Sequence, residues 1–230
     1  MTVVFVHGVP GTAAVWDALR AHLAVDSRAL SLPGFGVARP ESFAATKTAY
    51  ADWLAAELRG IPGPIDLVGH DWGALLTYRI VTKYDVPVRS WIADAASIMH
   101  PDYRWHELGQ TWQTIGAGEE FMRQSTDIDA RMGRSILDLY RSATPNLYWD
   151  WGTDLRRTAA AGLVITPLQD PYDDYQLAGE VARDLGATFY LMPDAGHQWM
   201  VEQPAAGAEA LQDFWTSLFP ACGPHWPFNS

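Results

Sequence analysis

Residues 65–84 read IDLVGHDWGALLTYRIVTKY, and this stretch predicts a strand, a sharp turn and a helix in immediate succession. Its apolar first part indicates a buried strand, and apolar residues at helical spacing follow from Ala74 onward. Gly69 and Gly73 lie two residues before and two residues after Asp71. Small residues at these two positions let the strand and helix backbones cross closely, so the turn pushes the side chain of Asp71 outward.

A turn of this form, usually G-x-S-x-G, presents its central side chain as a nucleophile at the top of a sheet. Here the central residue is Asp71, so the group presented is a carboxylate. A carboxylate needs no base to deprotonate it and can attack a saturated carbon, which gives a covalent ester that water must then clear. The motif resembles the epoxide hydrolase and haloalkane dehalogenase branch of the α/β-hydrolase family, in which the nucleophile is an aspartate.

Composition and charge narrow the class of partner. The chain of 230 residues is 48% hydrophobic, enough for one sizeable core with one inserted lid. Its formal net charge of −11 argues against nucleic acid or an anionic membrane as a partner. No apolar run is long enough to span a membrane, and the start MTVVFVHG lacks the charged flank of a signal peptide. We therefore expect a cytoplasmic protein that acts on a small molecule.

The single cysteine, Cys222, excludes an internal disulfide and is interpreted as inert, because it lies far from any base-like partner in the sequence. No Cys/His cluster and no phosphate-binding loop is present, so we expect neither a metal nor an organic cofactor. The sequence does not set the oligomeric state, and a homodimer is one option.

Strands and helices alternate along most of the chain, which predicts an α/β fold with a mostly parallel, doubly wound sheet of about six strands. The predicted strands span residues 2–6, 29–32, 65–68, 89–94, 162–168 and 188–192. The predicted helices span residues 13–23, with Thr12 as a cap, then 44–59, 74–84, 174–185 and 205–218.

The alternation stops between residues 96 and 157, where a helical region rich in Trp and Tyr is predicted. We interpret this region as a small helical cap, or lid, inserted after the sixth strand of the family's fold. The predicted domains are a first part of the α/β-hydrolase core (residues 1–97), the cap (98–158) and a second part of the core (159–230). Most aromatic residues of the cap, including Trp105, Trp149 and Trp151, are predicted to pack in its apolar interior.

After Asp71, the triad order of nucleophile, acid and histidine predicts the remaining catalytic residues. Asp170 follows a predicted strand, at the edge where open α/β sheets hold their ligands. His197 follows the last predicted strand and would deprotonate the water that clears the ester. Asp94, at the end of the predicted strand 89–94, is the alternative acid, because some haloalkane dehalogenases carry their acid at the end of the strand that precedes the lid. Three other carboxylates are interpreted as solvated or capping charges, namely Asp150, Asp173 and Asp174.

The segment His7-Gly8-Val9-Pro10 resembles the HGxP motif of the same family. The resemblance implies an oxyanion hole formed by two backbone N–H groups, those of Val9 and of Trp72, the residue after the nucleophile. Such a hole would stabilise the charge that develops when water attacks the ester, by roughly 3 kcal/mol per donor.

The residues of the lid distinguish two candidate reactions, epoxide hydrolysis and haloalkane dehalogenation. Tyr140 resembles a lid tyrosine with which epoxide hydrolases protonate the opening oxygen. At the place of the second tyrosine the chain has Trp112, which with Trp72 could form a two-indole halide clamp as in haloalkane dehalogenases. Tyr103 or Tyr148 could instead supply the missing hydroxyl from elsewhere in the lid.

The sequence therefore predicts an epoxide hydrolase that uses Asp71, His197, Asp170 and Tyr140, acting on a small apolar substrate and water. The first alternative is a haloalkane dehalogenase with the same nucleophile and base. The second is a non-catalytic ligand-binding protein with the same fold. An esterase is disfavoured, because an aspartate that attacks an acyl carbon would form an anhydride.

Overall fold

The computed structural model describes residues 2–218, and the prediction about Cys222 lies outside this range. Six parallel strands form one sheet in the order β2-β1-β3-β4-β5-β6. The strands are β1 (Thr2–Val6), β2 (Ser27–Leu30), β3 (Ile65–Gly69), β4 (Val88–Ala93), β5 (Ala161–Pro167) and β6 (Thr188–Met192). The predicted fold class, an α/β-hydrolase sheet of about six strands, is confirmed, and all six strands are parallel.

Helices flank the sheet. They are α1 (Asp17–Arg20), α2 (Lys47–Arg59), α3 (Trp72–Lys83), α4 (Glu107–Gln113), α5 (Ala117–Gln124), α6 (Ala130–Arg141), α7 (Tyr175–Leu185), α8 (Trp199–Glu202) and α9 (Pro204–Leu218). Short 3₁₀ turns cover Ala13–Trp16, Ala96–Met99 and Gly152–Asp154. Within the described chain, none of the helices combines the length and apolarity that a membrane crossing requires.

The sheet has an apolar cluster on each face, as expected when helices cover both sides of a parallel sheet. Alternate residues of β1 contribute to opposite clusters, because successive side chains in a strand point to opposite faces. Val4 and Val6 join the cluster that includes residues of α2, α3 and α7, whereas Val3 and Phe5 join the cluster that includes residues of α1, α8 and α9.

The first helix is shorter than predicted. The 3₁₀ turn Ala13–Trp16 leads directly into α1, which ends at Arg20, and the Thr12 side chain makes no capping hydrogen bond. Trp16 and Leu19 are fully buried, so the apolar spacing that suggested a longer helix reflects burial of these two side chains. Helix α8 was not predicted, because its four residues are too few for a periodic pattern.

Residues 98–158 contain α4, α5 and α6, which pack on one another, and no strand. We call them the β4–β5 segment, and their assignment as a separate cap stays a prediction. Trp112, Ile136 and Tyr140 of this segment belong to the same apolar cluster as α2 and α3. The segment therefore packs continuously onto one layer of the core.

The carboxyl ends of the parallel strands meet at one edge of the sheet, and the loops that follow them carry the predicted catalytic residues. Asp71 follows β3 near the middle of the sheet, Asp170 follows β5, and His197 follows β6. The sheet order thus brings residues that are distant in sequence to a common edge.

The crossing of β1 and α3 generates a test of stability. A Cβ at Gly73 would overlap the carbonyl oxygen of Val6, at a separation much shorter than van der Waals contact. We expect Gly73→Ala to lower the free energy of unfolding by more than about 3 kcal/mol, since the clash is with backbone and no side chain can yield. Urea denaturation followed by circular dichroism measures this change.

Gly179→Ala in α7 is the matched control. A Cβ there would meet only the Phe189 ring, at an ordinary contact distance of 3.4 Å. Because alanine favours helix over glycine by about 1 kcal/mol, this variant should be neutral or more stable. Equal stability of the two variants would contradict the close crossing at Gly73.

Candidate active site

Asp71 lies at the tip of the turn between β3 and α3. Its backbone angles are φ 51° and ψ −119°, in a region that non-glycine residues rarely adopt. The turn is closed by the N–H of Gly73, which donates to the carbonyl of His70 at 2.8 Å. The N–H of His70 in turn donates to the carbonyl of Val6 at 3.0 Å, which ties the elbow to β1. The strained backbone is therefore held by neighbouring strands.

One oxygen of the Asp71 carboxylate is bound by the loop after β1. The backbone N–H of Val9 donates to Oδ1 at 2.6 Å, and the N–H of Trp72 also stabilises the charged carboxylate. Gly8 makes this approach possible, because a Cβ at Gly8 would lie 2.5 Å from the Cβ of Asp71. The two N–H groups predicted as an oxyanion hole thus lie at the carboxylate of the predicted nucleophile.

Burial raises the pKa of the Asp71 carboxyl above its usual value. The positive charges of His197 and His70 and the N–H groups of Val9 and Trp72 act in the opposite direction. The carboxylate is therefore poorly hydrated and balanced by directed donors, which is the state of a strong nucleophile.

His197 pairs with Asp170. The Nδ1–H of His197 donates to Oδ2 of Asp170 at 2.8 Å, and Oδ1 of Asp170 accepts from the backbone N–H of Tyr172 at 2.8 Å. Burial lowers the pKa of His197, but the hydrogen bond to Asp170 and the charge of Asp71 outweigh it and raise the pKa to about 9. In the free protein at neutral pH, His197 is therefore a cation between two carboxylates.

Asp94, the alternative acid, has other partners. Its Oδ1 accepts from the backbone N–H of Asp71 at 2.7 Å, and its Oδ2 accepts from His70 and from the indole of Trp199, each at 2.7 Å. Although burial alone would raise the pKa of Asp94, the contacts with His70 and Trp199 lower it. Asp94 thus anchors the elbow and the neighbouring His70, while Asp170 takes the position beside His197.

Asp71 and His197 both line a cavity of about 290 Å³ at this edge of the sheet. The other lining residues are Gly8, Val9, Pro10, Gly11, Val15, His70, His106, Leu108, Trp112, Tyr140, Tyr172 and Gln198. Most of this lining is apolar or aromatic, with polar groups around Asp71. Such a cavity suits a small apolar ligand that is held by a few directed hydrogen bonds.

Tyr140, on α6, reaches this cavity from the β4–β5 segment. Its ring packs edge-on against Trp112 at 4.7 Å and Trp72 at 5.4 Å between ring centroids. Burial, reinforced by the negative charge of Asp71, raises the pKa of Tyr140 well above its usual value. The hydroxyl therefore stays protonated and can donate to a ligand in the cavity.

The two predicted halide-binding indoles are placed differently. Trp112 lines the cavity, and its indole N–H is buried without an acceptor among residues 2–218. Trp72 is fully buried behind the cavity wall, where its ring stacks on Trp105 at 6.1 Å and 19°. Of the two indoles, only that of Trp112 belongs to the lining of this cavity.

Tyr103 and Tyr148 do not line the cavity of Asp71, contrary to the prediction that either could supply a hydroxyl there. The Tyr103 hydroxyl donates to the carbonyl of Tyr172 at 3.3 Å, and Tyr103 lines a neighbouring cavity instead. Tyr148 packs closely over Gly152 and lines a third cavity. Local packing at these two positions, which the sequence pattern does not encode, turns both side chains elsewhere.

Some predictions about surrounding residues need correction. Asp174 caps α7 and Asp150 pairs with Lys47 at the surface, as expected for capping or solvated charges. Asp173 instead lies largely buried, accepting from the Ser97 N–H at 3.0 Å, and burial raises its pKa to about 7. Trp149 was interpreted as packing, but its side chain is 69% exposed.

His106 and Tyr172 are among the cavity residues to which the sequence analysis gave no role. His106 caps the start of α4, where its Nδ1 accepts from the Gly109 N–H at 3.1 Å. Tyr172 packs edge-on against the His197 ring at 5.0 Å and 88°. The available signals were a histidine within the aromatic run Tyr103 to His106 and a tyrosine two residues after the predicted acid.

No cluster of three or more His, Cys, Asp or Glu side chains within residues 2–218 is arranged to hold a metal ion. The titratable groups at this edge pair with one another instead, as Asp170–His197 and Asp94–His70. The arrangement combines a buried carboxylate with backbone donors, an imidazole held by a second carboxylate, and a phenol. These groups suffice for nucleophilic attack followed by general-base hydrolysis.

Comparison with known proteins agrees with this architecture. A model described as the alpha/beta hydrolase family matches residues 3–210. A haloalkane dehalogenase from Bradyrhizobium elkani is 18% identical with a TM-score of 0.75, covering 94% of this chain and 90% of that one. A thermophilic esterase from Thermogutta terrifontis is 22% identical with a TM-score of 0.69, covering 95% and 90%.

A carboxylesterase from Bacillus subtilis is 16% identical with a TM-score of 0.67, covering 94% of this chain and 84% of that one. At these identities the similarities establish the fold alone. A search of curated protein sequences finds no match.

The hydrogen bond of His197 to Asp170 and the nearby charge of Asp71 predict how its ring titrates. By NMR, the His197 ring should titrate with a pKa of about 9. Asp71→Asn should lower this pKa, because it removes a negative charge that favours the cation. Asp213→Asn, an exposed carboxylate on α9, is the control and should leave the pKa unchanged. An unchanged pKa in Asp71→Asn would contradict the electrostatic coupling between the two residues.

Proposed function

The chain belongs to the alpha/beta hydrolase family, and from this premise we propose that it hydrolyses epoxides through a covalent ester on Asp71. The observation that carries the proposal is the Asp71 carboxylate itself, with Oδ1 bound by the Val9 N–H at 2.6 Å in a cavity shared with His197 and Tyr140. We further propose that the substrate is small and apolar, to suit the cavity lining, and that water is the second reactant.

In the first step, the free oxygen of Asp71 attacks a ring carbon of the epoxide. The carbon–oxygen bond of the ring breaks as the ester bond forms, and the departing oxygen takes the proton of the Tyr140 hydroxyl. The buried Tyr140 retains this proton until an alkoxide develops beside it, because burial raises its pKa. Tyr140, the general acid, is thus protonated before each turnover.

In the second step, His197 deprotonates a water that attacks the ester carbonyl. The cation His197 cannot act as a base while Asp71 is charged, since that charge helps to raise its pKa to about 9. Ester formation removes the charge and lowers the pKa of His197, so the ring releases its proton to solvent and becomes a neutral base. Alkylation of Asp71 therefore switches on the base that the next step needs.

The oxyanion of the second step forms on the oxygen that the Val9 N–H already binds. The Val9 N–H holds this atom as a carboxylate oxygen, as the ester carbonyl oxygen and as the oxyanion, and the Trp72 N–H also stabilises the Asp71 carboxylate, so these donors need not move. Each such donor contributes roughly 3 kcal/mol of transition-state stabilisation. When the intermediate collapses, His197 gives its proton to the leaving alkoxide, which completes the diol. The hydroxyl proton of the intermediate passes to His197 as the Asp71 carboxylate is regenerated, and the proton that His197 released after alkylation returns through solvent to the Tyr140 phenolate.

The closest alternative is dehalogenation of a haloalkane by the same nucleophile and base. The unpartnered indole N–H of Trp112 in the cavity wall favours it, as does structural similarity to a haloalkane dehalogenase. Against it, the second indole of the clamp, that of Trp72, lies outside the cavity lining. An epoxide uses the hydroxyl of Tyr140 instead, which does line the cavity.

Two further functions have less support. The structural similarity to esterases extends to the fold, but a central carboxylate would form an anhydride on acyl transfer, a poorer intermediate than the ester formed by serine. A protein that only binds ligands would not require Asp71, Asp170 and His197 together at one sheet edge.

Trapping the ester tests the proposal. His197→Asn keeps a donor to Asp170 but lacks the base, so the ester should accumulate. Incubated with styrene oxide at mildly alkaline pH, which keeps Asp71 ionised, this variant should gain the mass of the whole epoxide on the peptide that carries Asp71. Adding Asp71→Asn should abolish the gain. An adduct only from bromobutane, lacking its bromine, would establish the dehalogenase alternative, and no adduct from either compound would favour a ligand-binding protein.

Two matched aromatic substitutions in the same His197→Asn background show whether the Tyr140 hydroxyl or the Trp112 indole N–H assists the reaction. Tyr140→Phe removes one hydroxyl and should slow adduct formation from styrene oxide by about 100-fold. Trp112→Phe removes the indole N–H while keeping an aromatic ring, and it should slow the same reaction far less. The reverse order of effects would contradict the assignment of Tyr140 as the general acid.

A further inference from the structure

We propose that His106 is a second catalytic hydrogen-bond donor, which binds the epoxide oxygen through its Nε2–H beside the hydroxyl of Tyr140. This inference rests on the proposed function, because it assigns the partner of the oxygen that Tyr140 protonates. It also fills the place for which the sequence offers no second lid tyrosine and the structure turns Tyr103 and Tyr148 away.

The local structure fixes which nitrogen of His106 can donate. As the cap of α4, Nδ1 accepts the N–H of Gly109 at 3.1 Å, so Nδ1 carries no proton. A neutral imidazole must then hold its proton on Nε2. No described residue accepts a hydrogen bond from this N–H, and His106 lines the cavity together with Asp71 and Tyr140.

Two aromatic rings also pack against the ring of His106. It packs against Tyr172 at 4.5 Å and 46°, and against Trp105 at 6.2 Å and 72°. Tyr172 packs in turn on His197 at 5.0 Å. A donor that is fixed before the substrate binds needs little reorganisation in the transition state.

Burial lowers the pKa of His106, although the charges of Asp71 and Asp170 partly oppose this effect. The ring is therefore neutral at neutral pH. A neutral donor can bind the developing alkoxide. Because it carries no positive charge, it does not form an ion pair with the Asp71 carboxylate that would weaken this nucleophile. The two groups divide the work, since Tyr140 transfers the proton and His106 stabilises the second lone pair of the same oxygen.

Two substitutions separate this role from the capping role of the same side chain. His106→Asn keeps an acceptor for the Gly109 N–H, since asparagine is a favoured cap, but removes the Nε2–H. His106→Gln places an amide N–H near the former Nε2 and loses the cap. In the His197→Asn background, we expect His106→Asn to slow adduct formation from propylene oxide by about 10- to 100-fold, and His106→Gln to retain most of the rate.

The choice of epoxide supplies a readout that a structural defect would not give. The trifluoromethyl analogue of propylene oxide has nearly the same shape but yields a more stable alkoxide, which depends less on a hydrogen-bond donor. We expect His106→Asn to slow the reaction of the analogue several-fold less than that of propylene oxide. Thermal unfolding of each variant, compared with the parent, reports on the loss of the cap.

The outcomes are distinct. Unchanged rates in His106→Asn, or equal slowing with both epoxides in both variants, would overturn the role of His106 and leave the proposed function standing. The absence of an adduct in the His197→Asn parent with every epoxide would overturn the proposed function, and the role of His106 with it.

Discussion

The backbone conformation of Asp71 is the constraint on which the site depends. Positive φ at a non-glycine residue costs on the order of 1–3 kcal/mol, and it persists only where surrounding contacts over-determine it. Here the strain is opposed by the hydrogen bond from the Asp71 N–H to Asp94 and by the close crossing of Gly73 over β1. Asp94 also binds His70 and Trp199, so β4 and α8 both support one turn. Rigid support at the elbow lets the Val9 N–H meet the carboxylate at 2.6 Å.

Electrostatics at this edge follow from the same geometry. Three buried carboxylates, Asp71, Asp94 and Asp170, lie near two imidazoles, His70 and His197, and each carboxylate has hydrogen-bond donors of its own. For Asp71, Asp94 and His197, burial favours the neutral form and the charges of the neighbouring groups favour the ionised form. The balance makes the ionisation of His197 sensitive to the charge on Asp71. The proposed ester on Asp71 would therefore change the acid–base state of the site without any movement of the chain.

The sequence was sufficient to predict the elbow, the six strands and the order of Asp71, Asp170 and His197, because turn chemistry and apolar periodicity are local signals. The boundaries of β1 and β6 were predicted to the residue. The partners of Asp94 were not predictable, since its contacts with His70 and Trp199 join three elements that are distant in sequence. The same holds in the β4–β5 segment, where the direction of each aromatic side chain depends on packing. His106 was missed there because the role proposed for it depends on which ring nitrogen accepts the Gly109 N–H.

A single turnover in water labelled with ¹⁸O, with enzyme in excess over styrene oxide, shows whether Asp71 forms a covalent ester. If Asp71 attacks the substrate, the product takes its new oxygen from the carboxylate, and the labelled oxygen appears in the peptide that carries Asp71. Mass spectrometry of that peptide and of the diol should show the label in the protein and an unlabelled product. A labelled diol with an unlabelled peptide would mean that water attacks the substrate directly and that Asp71 is not the nucleophile.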